Sequence, residues 1–549
     1  MPRATFPPAL VALGLTAALG SWSCTTGAEE LSVDQALDEI PVEGFLAHMN
    51  ALSADAMSGR RPGTAGYDSA AAYVAREARA LGLEPGGTDG SYMQPIRFRR
   101  AVVEPGSETL VVNGTGLVAG VDFAVAPQVA VDQVAMTAPL VFAGFGIHAP
   151  DLGYDDLAGL DLDGALVVVL PGAPEALGSL ERTVLGSSAA RDRELRARGA
   201  LGVVTVQGGG DTEAPWSSLV RRAARPRVDF LAPEAEGGPD GSRAFASLYL
   251  SRARAAEWVA GTGRDLEAVE AALRAGEPES FPLDADVRLE ARFSHEPFES
   301  ANVVALLPGS DPTLADEHLV LTAHLDHLGV GAVVEGDSIY NGTLDNASGS
   351  SALLTLASVL TRMAPPRRSI AFVWVTAEES GLLGSEYFAR FPSVAPGRIV
   401  ANQNIDGVMG MITASSDVLA FGYEHSNLSE AVDAAVARTG TPVSPDPTPE
   451  ENLFIRSDQY AFVRNGIPAI WVQGGRTGAR PGLDPQADLD AWIAERYHQP
   501  DDDPKQPMDL DGVRVELRAN LLVAHYIANE LGPVRWRDDS FLYRRFHSP

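Results

Sequence analysis

Five short segments in the second half of the chain bring together side chains that hold divalent metal. They are "AHLDHLG" around His324, "GTLDNASGSSALL" around Asp345, "TAEESGLLGSEYF" around Glu378 and Glu379, "NIDGVMG" around Asp406 and "RYHQPDDD" around His498. Zinc takes imidazole nitrogen and carboxylate oxygen in roughly tetrahedral geometry. Two such ions lying close together need a shared bridging group, most simply a carboxylate. The residue types fit His324 and Asp406 on one ion, Glu379 and His498 on the other, and Asp345 between them. Each ion then has three protein ligands and one position open for a shared water or hydroxide, as a hydrolytic site requires. Glu378 cannot easily reach the ion that Glu379 binds. It stands instead as the general base, taking a proton from the water and passing it to the leaving amine. Asp326, two residues beyond His324, is placed to orient the imidazole.

Taken singly, a histidine at a strand end, an acidic pair or an Asp-Asn turn carries no such meaning. The conjunction does. Of ten histidines only His324 and His498 are assigned to metal. His48 and His525 lie on helical patterns, and His148, His318 and His425 near turns. His295 lies in a linker and His547 in the C-terminal tail. His327, inside the first motif, reads as lining the pocket.

These groups need elements to aim them. Apolar runs at 302–307, 319–323, 370–376, 399–404 and 469–472 read as strands, with helical patterns at 350–360, 385–390, 428–438 and 513–531. That alternation predicts an α/β fold with an open, mostly parallel sheet and helices on both faces. His324, Glu378, Glu379 and Asp406 fall just past the C-terminal ends of strands, where such sheets bind ligands. Two helical patterns in 39–101, separated by the turn-rich "SGRRPGTAGY", open the same domain, which resumes over 286–535. Between them, 102–285 holds short β-branched runs punctuated by Gly and Pro, the texture of an inserted β-rich module. The stretch 476–495 reads as a long irregular loop, either plain surface or a lid, and 536–549 as a tail.

At 549 residues the chain is too long for one core. Its net charge of −31 repels nucleic acid and anionic membrane, so neither is an expected partner. Lys505 is the only lysine and Cys24 the only cysteine, so no intramolecular disulfide can form. Cys24 ends the apolar stretch "PALVALGLTAALGSWSC", which is too short for a comfortable span and reads as a secretion signal over 1–24, with a polar linker at 25–38. Two outcomes stand open: a lipoprotein cleaved before Cys24 and acylated there, or ordinary cleavage after small residues nearby. No other stretch is apolar enough to span a bilayer. The mature chain is expected to be exported: periplasmic, lipid-anchored to a membrane, or extracellular.

The five segments resemble those of metallopeptidase family 28, the double-zinc aminopeptidases and their glutamate carboxypeptidase relatives. The family pattern runs His-x-Asp, Asp-Asn-x-Ser-Gly, Glu-Glu-x-Gly-Leu-x-Gly-Ser, Asp, and a late Tyr-His. Here His324 and Asp326, Asp345 to Gly349, Glu378 to Ser385, Asp406, and Tyr497 with His498 match it. The resemblance implies the zinc-exopeptidase fold, two zinc ions on the ligands given above, and Glu378 as base. It implies Tyr497 as a donor to the tetrahedral intermediate, unless that ring only packs beside the ligand loop. It also implies a cis peptide bond at Asp345–Asn346. "GFGIHAPDLGYDDLAGLDLDGALVVVLPG" resembles the protease-associated domain often inserted into such peptidases. Two departures stand out: Gln459 replaces a frequent histidine, and His327 stands where many secreted members carry serine. The expected activity is that of an aminopeptidase, with a metal-bound hydroxide attacking the first peptide bond of peptides or proteins bearing a free N-terminus. The alternatives are a carboxypeptidase or dipeptidase holding the substrate carboxylate with Arg456, Arg464, Arg476 or Arg480, a one-zinc glutaminyl cyclase, and a non-catalytic receptor-like binding protein.

Overall fold

Runs such as "LVLTA" and "IAFVWV" lack polar alternation, so strands built from them must be covered on both faces. In the computed structural model, which describes residues 30–209, 214–233, 244–394 and 398–547, they are. The leader and Cys24 lie outside these residues. His318–His324 and Ser369–Val375 are buried at every position and run parallel to each other. Ile399–Asn404 and Ala469–Gly474 continue the sheet in parallel. Its two borders are antiparallel, formed by Val418–Phe421 and by the end of Ser280–Leu307. The expected mostly parallel mixed sheet is therefore present.

Side-chain alternation assigns the two faces. Leu319, Leu321 and Ala323 join Phe45, Met49, Val74, Leu353, Leu356, Val513 and Leu517 in the main core. Those partners come from helices Val42–Leu52, Ala65–Ala80, Gly349–Leu360 and Leu510–Asn529. Val320, Ala371 and Val373 point the other way, onto Phe388 and Phe462 of helices Leu383–Arg390 and Gln459–Arg464. Each fully buried leucine in such a core contributes about 1.5–3 kcal/mol.

The inserted module holds helices as well as its many strands. Gln133–Ala143, Leu166–Val169, Gly202–Val206 and Ala246–Leu250 lie side by side in parallel. Parallel neighbours need crossovers, and helices such as Ser188–Ala197 and Arg252–Ala260 accompany them. The expected boundary at 285/286 falls inside one strand, Ser280–Leu307. Its first half pairs with Gln133–Ala143, its second with Met93–Val103 and Ser369–Val375. Three further segments differ from expectation. Val33–Asp38, read as the end of a linker, is a helix capped by Ser32. Pro485–Glu495 makes a helix of half the supposed loop. In the supposed tail, Phe541–His547 is a helix that reaches the module, with Arg545 on Glu194 at 3.2 Å.

The N-terminal helices are locked to the site loops by Arg60, which is fully buried. Its guanidinium donates to the carbonyls of Leu325, Leu52 and Gly342, each at 2.8 Å, and to that of Asn341. Removing it strands four buried acceptors, each costing about 1–3 kcal/mol. Arg60→Met should lower stability by at least ~3 kcal/mol, read as a lower urea midpoint by tryptophan fluorescence. The exposed neighbour change Arg61→Met should stay within ~0.5 kcal/mol of the parent.

Candidate metal and catalytic site

His324 closes its strand, and its Nδ1 donates to the main-chain carbonyl of Asp326 at 3.1 Å. That bond leaves Nε2 with the ring's lone pair. Nε2 faces Asp406 Oδ1 at 3.2 Å and Asp345 Oδ1 at 3.3 Å. The other oxygen of Asp345, Oδ2, lies 3.2 Å from His498 Nε2, which is also 3.2 Å from Glu379 Oε2. The five sequence-assigned ligands thus converge, and Asp345 turns one oxygen toward each group, as a bridge must. Glu378 stands beside them, half-buried. Burial raises its pKa well above the usual carboxylate value; His324 opposes this, while Asp458, Asp406 and Glu379 add to it.

The loops carrying these groups brace one another. Asp326 does orient His324, but through its main-chain oxygen, because its carboxylate is engaged elsewhere. That carboxylate accepts from the backbone N–H of Glu378 at 3.0 Å and of Glu379 at 3.3 Å. The Asp345–Asn346 peptide bond is cis, as expected. Asn346 accepts from Gly349 N and Gly407 N, both at 2.9 Å, and donates to Ile405 O, tying the Asp345 loop to the Asp406 loop. Gly349 is required there, since a methyl group would strike Asn346 and the Ile405 carbonyl. Ser348 adds a second tie, from its Oγ to Leu344 O at 2.7 Å and from Val408 N at 2.9 Å.

Several participants escaped the sequence reading. Asp502 accepts from Leu344 N at 2.9 Å and Asp345 N at 3.1 Å, fixing the backbone at Asp345. Asp458 is fully buried, and desolvation pushes its pKa up to about 7, with His324 and Ser385 acting the other way. Asp502 lay within "RYHQPDDD" and Asp458 beside Gln459, where acidic residues resemble those of surface turns. Gln459 accepts from Asn404 Nδ2 at 2.7 Å and donates to Phe454 O at 2.7 Å, a buried structural link. Tyr497 is 44% exposed, and its ring stacks on His498 at 4.0 Å. His327, read as a pocket wall, is fully buried with Nδ1 only 2.8 Å from Glu379 Oε1.

These residues fit a divalent cation. Lone-pair atoms of His324, Asp345 and Asp406 lie within 4.8 Å of one another, as do those of His327, Asp345 and Glu379. Such a gathering repels itself unless positive charge lies among it. Burial opposes charge on His498, yet Asp345 and Glu379 hold its pKa up to about 10. The nitrogen-and-carboxylate donor set, with no sulfur, suits zinc.

Residues 302–521 match the sequence model of Peptidase family M28. This region is a domain of that family. Leucine aminopeptidase 1 of Trichophyton equinum is 29% identical over 184 residues, 32% of this chain and 48% of that one. Leupeptin-inactivating enzyme 1 of Streptomyces exfoliatus is 35% identical over 107 residues, 19% of this chain and 22% of that one. The chain thus spans about half, or less, of the length of these relatives. Among solved structures, an aminopeptidase from Aneurinibacillus sp. strain AM-1 is 20% identical, with 93% and 99% of the two chains covered and a TM-score of 0.49. The zinc aminopeptidase BSAP of Bacillus subtilis is 19% identical, with 89% and 95% covered and a TM-score of 0.42.

Asp326 braces the backbone of Glu378 and Glu379 at once. Asp326→Ala should lower zinc affinity roughly 10–100-fold, the usual effect of losing an outer support. Competition against a chromophoric chelator measures it, and an unchanged affinity would show that the two backbone bonds position nothing.

Proposed function

We propose that the protein is an exported zinc-dependent exopeptidase, and specifically an aminopeptidase working with two zinc ions. One observation carries this reading: Asp345 turns its two oxygens to separate ligand groups, with Glu378 alongside, in a family-28 domain. The names of the relatives support it, since they include leucine aminopeptidases. When bound, the ions polarise the scissile carbonyl and acidify water. His324, Asp345, Glu379, Asp406 and His498 would hold them. Glu378 receives a proton on its carboxylate and returns it to the leaving amine nitrogen. Its upward-shifted pKa suits that shuttle. Asp326 keeps the Glu378 main chain in place. Tyr497, half exposed and stacked on His498, would act as a donor to the developing oxyanion.

The carboxypeptidase reading needs a free guanidinium for the substrate carboxylate. Arg456, Arg464 and Arg480 are instead paired with Glu451, Glu386 and Asp509. Arg476 donates to Gln486 and to the Gly474 carbonyl. The inserted module is read as a protease-associated domain. Export rests on the leader and Cys24. Among the described residues, no helix is long and apolar enough to cross a membrane.

The test uses matched peptides with free or acetylated N-termini, with and without chelator. Chelator-sensitive release of the first residue from free N-termini alone is the expected result, and cleavage indifferent to acetylation would refute an aminopeptidase. In the same assay Glu378→Gln should keep its zinc yet lose roughly 10²–10⁴-fold in turnover. Intact turnover would remove Glu378 from the role of base.

A further inference from the structure

His327 has no place in the five-ligand set, yet its surroundings are those of a ligand. The ring is fully buried, and neither nitrogen has a hydrogen-bond partner among the described residues. Glu379 Oε1 is likewise without one, although it lies 2.8 Å from His327 Nδ1. The two atoms face each other at close range without the alignment of an N–H···O bond. A buried polar atom left in that state costs about 1–3 kcal/mol, and a cation shared by His327 Nδ1 and Glu379 Oε1 would satisfy both. Asp345 Oδ2 is 3.9 Å from the same nitrogen, and the His498 ring stands edge-on at 5.6 Å. The ring is also seated firmly. Gly342, at a φ of 59°, leaves room for it, and a Cβ there would fall 2.5 Å from His327 Cγ.

The two donor groups are therefore unequal. His324, Asp345 and Asp406 gather around one point and His327, Asp345 and Glu379 around the other, where His498 also faces Asp345 Oδ2 and Glu379 Oε2 at 3.2 Å. Four protein donors complete a tetrahedral zinc set, as in structural sites, while three leave a position open, as in catalytic ones. Resting on the two-metal reading above, we propose that His327 is a fourth protein ligand of the second ion. The pair is then divided in labour. The ion at His327, Asp345, Glu379 and His498 is closed and tightly held. The ion at His324, Asp345 and Asp406 is open, exchangeable and the one that presents a free position to substrate.

The experiment titrates the full chain, stripped of metal, with Co²⁺, following visible absorption and bound metal after dialysis against a weak chelator. Wild type should show two constants, one much tighter, and should retain a single ion on dialysis. In His327→Ser the tight constant should weaken at least about 100-fold and the weak one stay, while His324→Ser should do the reverse. A second variant reads ligation directly. His327→Cys with Co²⁺ should gain a near-ultraviolet thiolate-to-metal band that wild type, with only Cys24, lacks. Unchanged constants in His327→Ser, or a folded His327→Cys without the band, overturn the inference. Failure of the wild type to bind any metal would instead sink the exopeptidase reading itself.

Discussion

The structure turns on a concentration of negative charge. Asp326, Asp345, Glu378, Glu379, Asp406, Asp458 and Asp502 all gather around the C-terminal ends of a few parallel strands. Two carboxylates ~4 Å apart repel by roughly 4 kcal/mol at an effective dielectric of about 20. A handful of such pairs equals the whole stability of a domain, ~5–15 kcal/mol. The chain meets part of this cost itself. Asp326 and Asp502 each take two backbone N–H groups from the very loops that carry the other acids. What remains, on Asp345, Glu379 and Asp406, faces the imidazoles of His324 and His498.

Parallel strand order makes that gathering possible. Three neighbouring strands, Ile399–Asn404, His318–His324 and Ser369–Val375, end at one level, so the loops that leave them meet. Meeting is not alignment, and alignment comes from short polar side chains spanning from loop to loop. Asn346 joins the Asp345 loop to the Asp406 loop, Asp326 joins the His324 loop to the Glu378 loop, and Arg60 fastens two of these to the N-terminal helices. Motif residues outside the candidate ligand set hold the distances between its members.

Much of this was legible in the sequence, and for identifiable reasons. The strands ending at His324 and Val375 are largely apolar on both faces, a pattern with one structural solution. The ligands stood out by conjunction and position. What stayed hidden depended on direction. Arg60 sits in a turn, where arginine ordinarily points to water, and only the fold reveals four carbonyls around it. Asp458 and Asp502 look like surface acids until their loops turn inward. Whether His327 met the pocket or the metal group depended on the path of the chain just past a strand end, which periodicity does not encode. The strand Ser280–Leu307 was obscured by Pro282, Pro297 and its run of charges, since proline within a run argues against a central strand.

That strand also restricts how the gene can change. Because side chains alternate with a period of two, inserting one residue between Leu289 and Val303 would exchange inward and outward faces for everything paired on one side of it. With the peptidase end held, Arg288, Glu290 and Arg292 would then turn into the module's core in place of Val287, Leu289 and Ala291. Length variation in this stretch is tolerable only in even steps or as a bulge. The bulge that exists, between Pro282 and Asp286, lies at the module end of the strand. Slack has been placed where a change of frame does no harm to the chemistry.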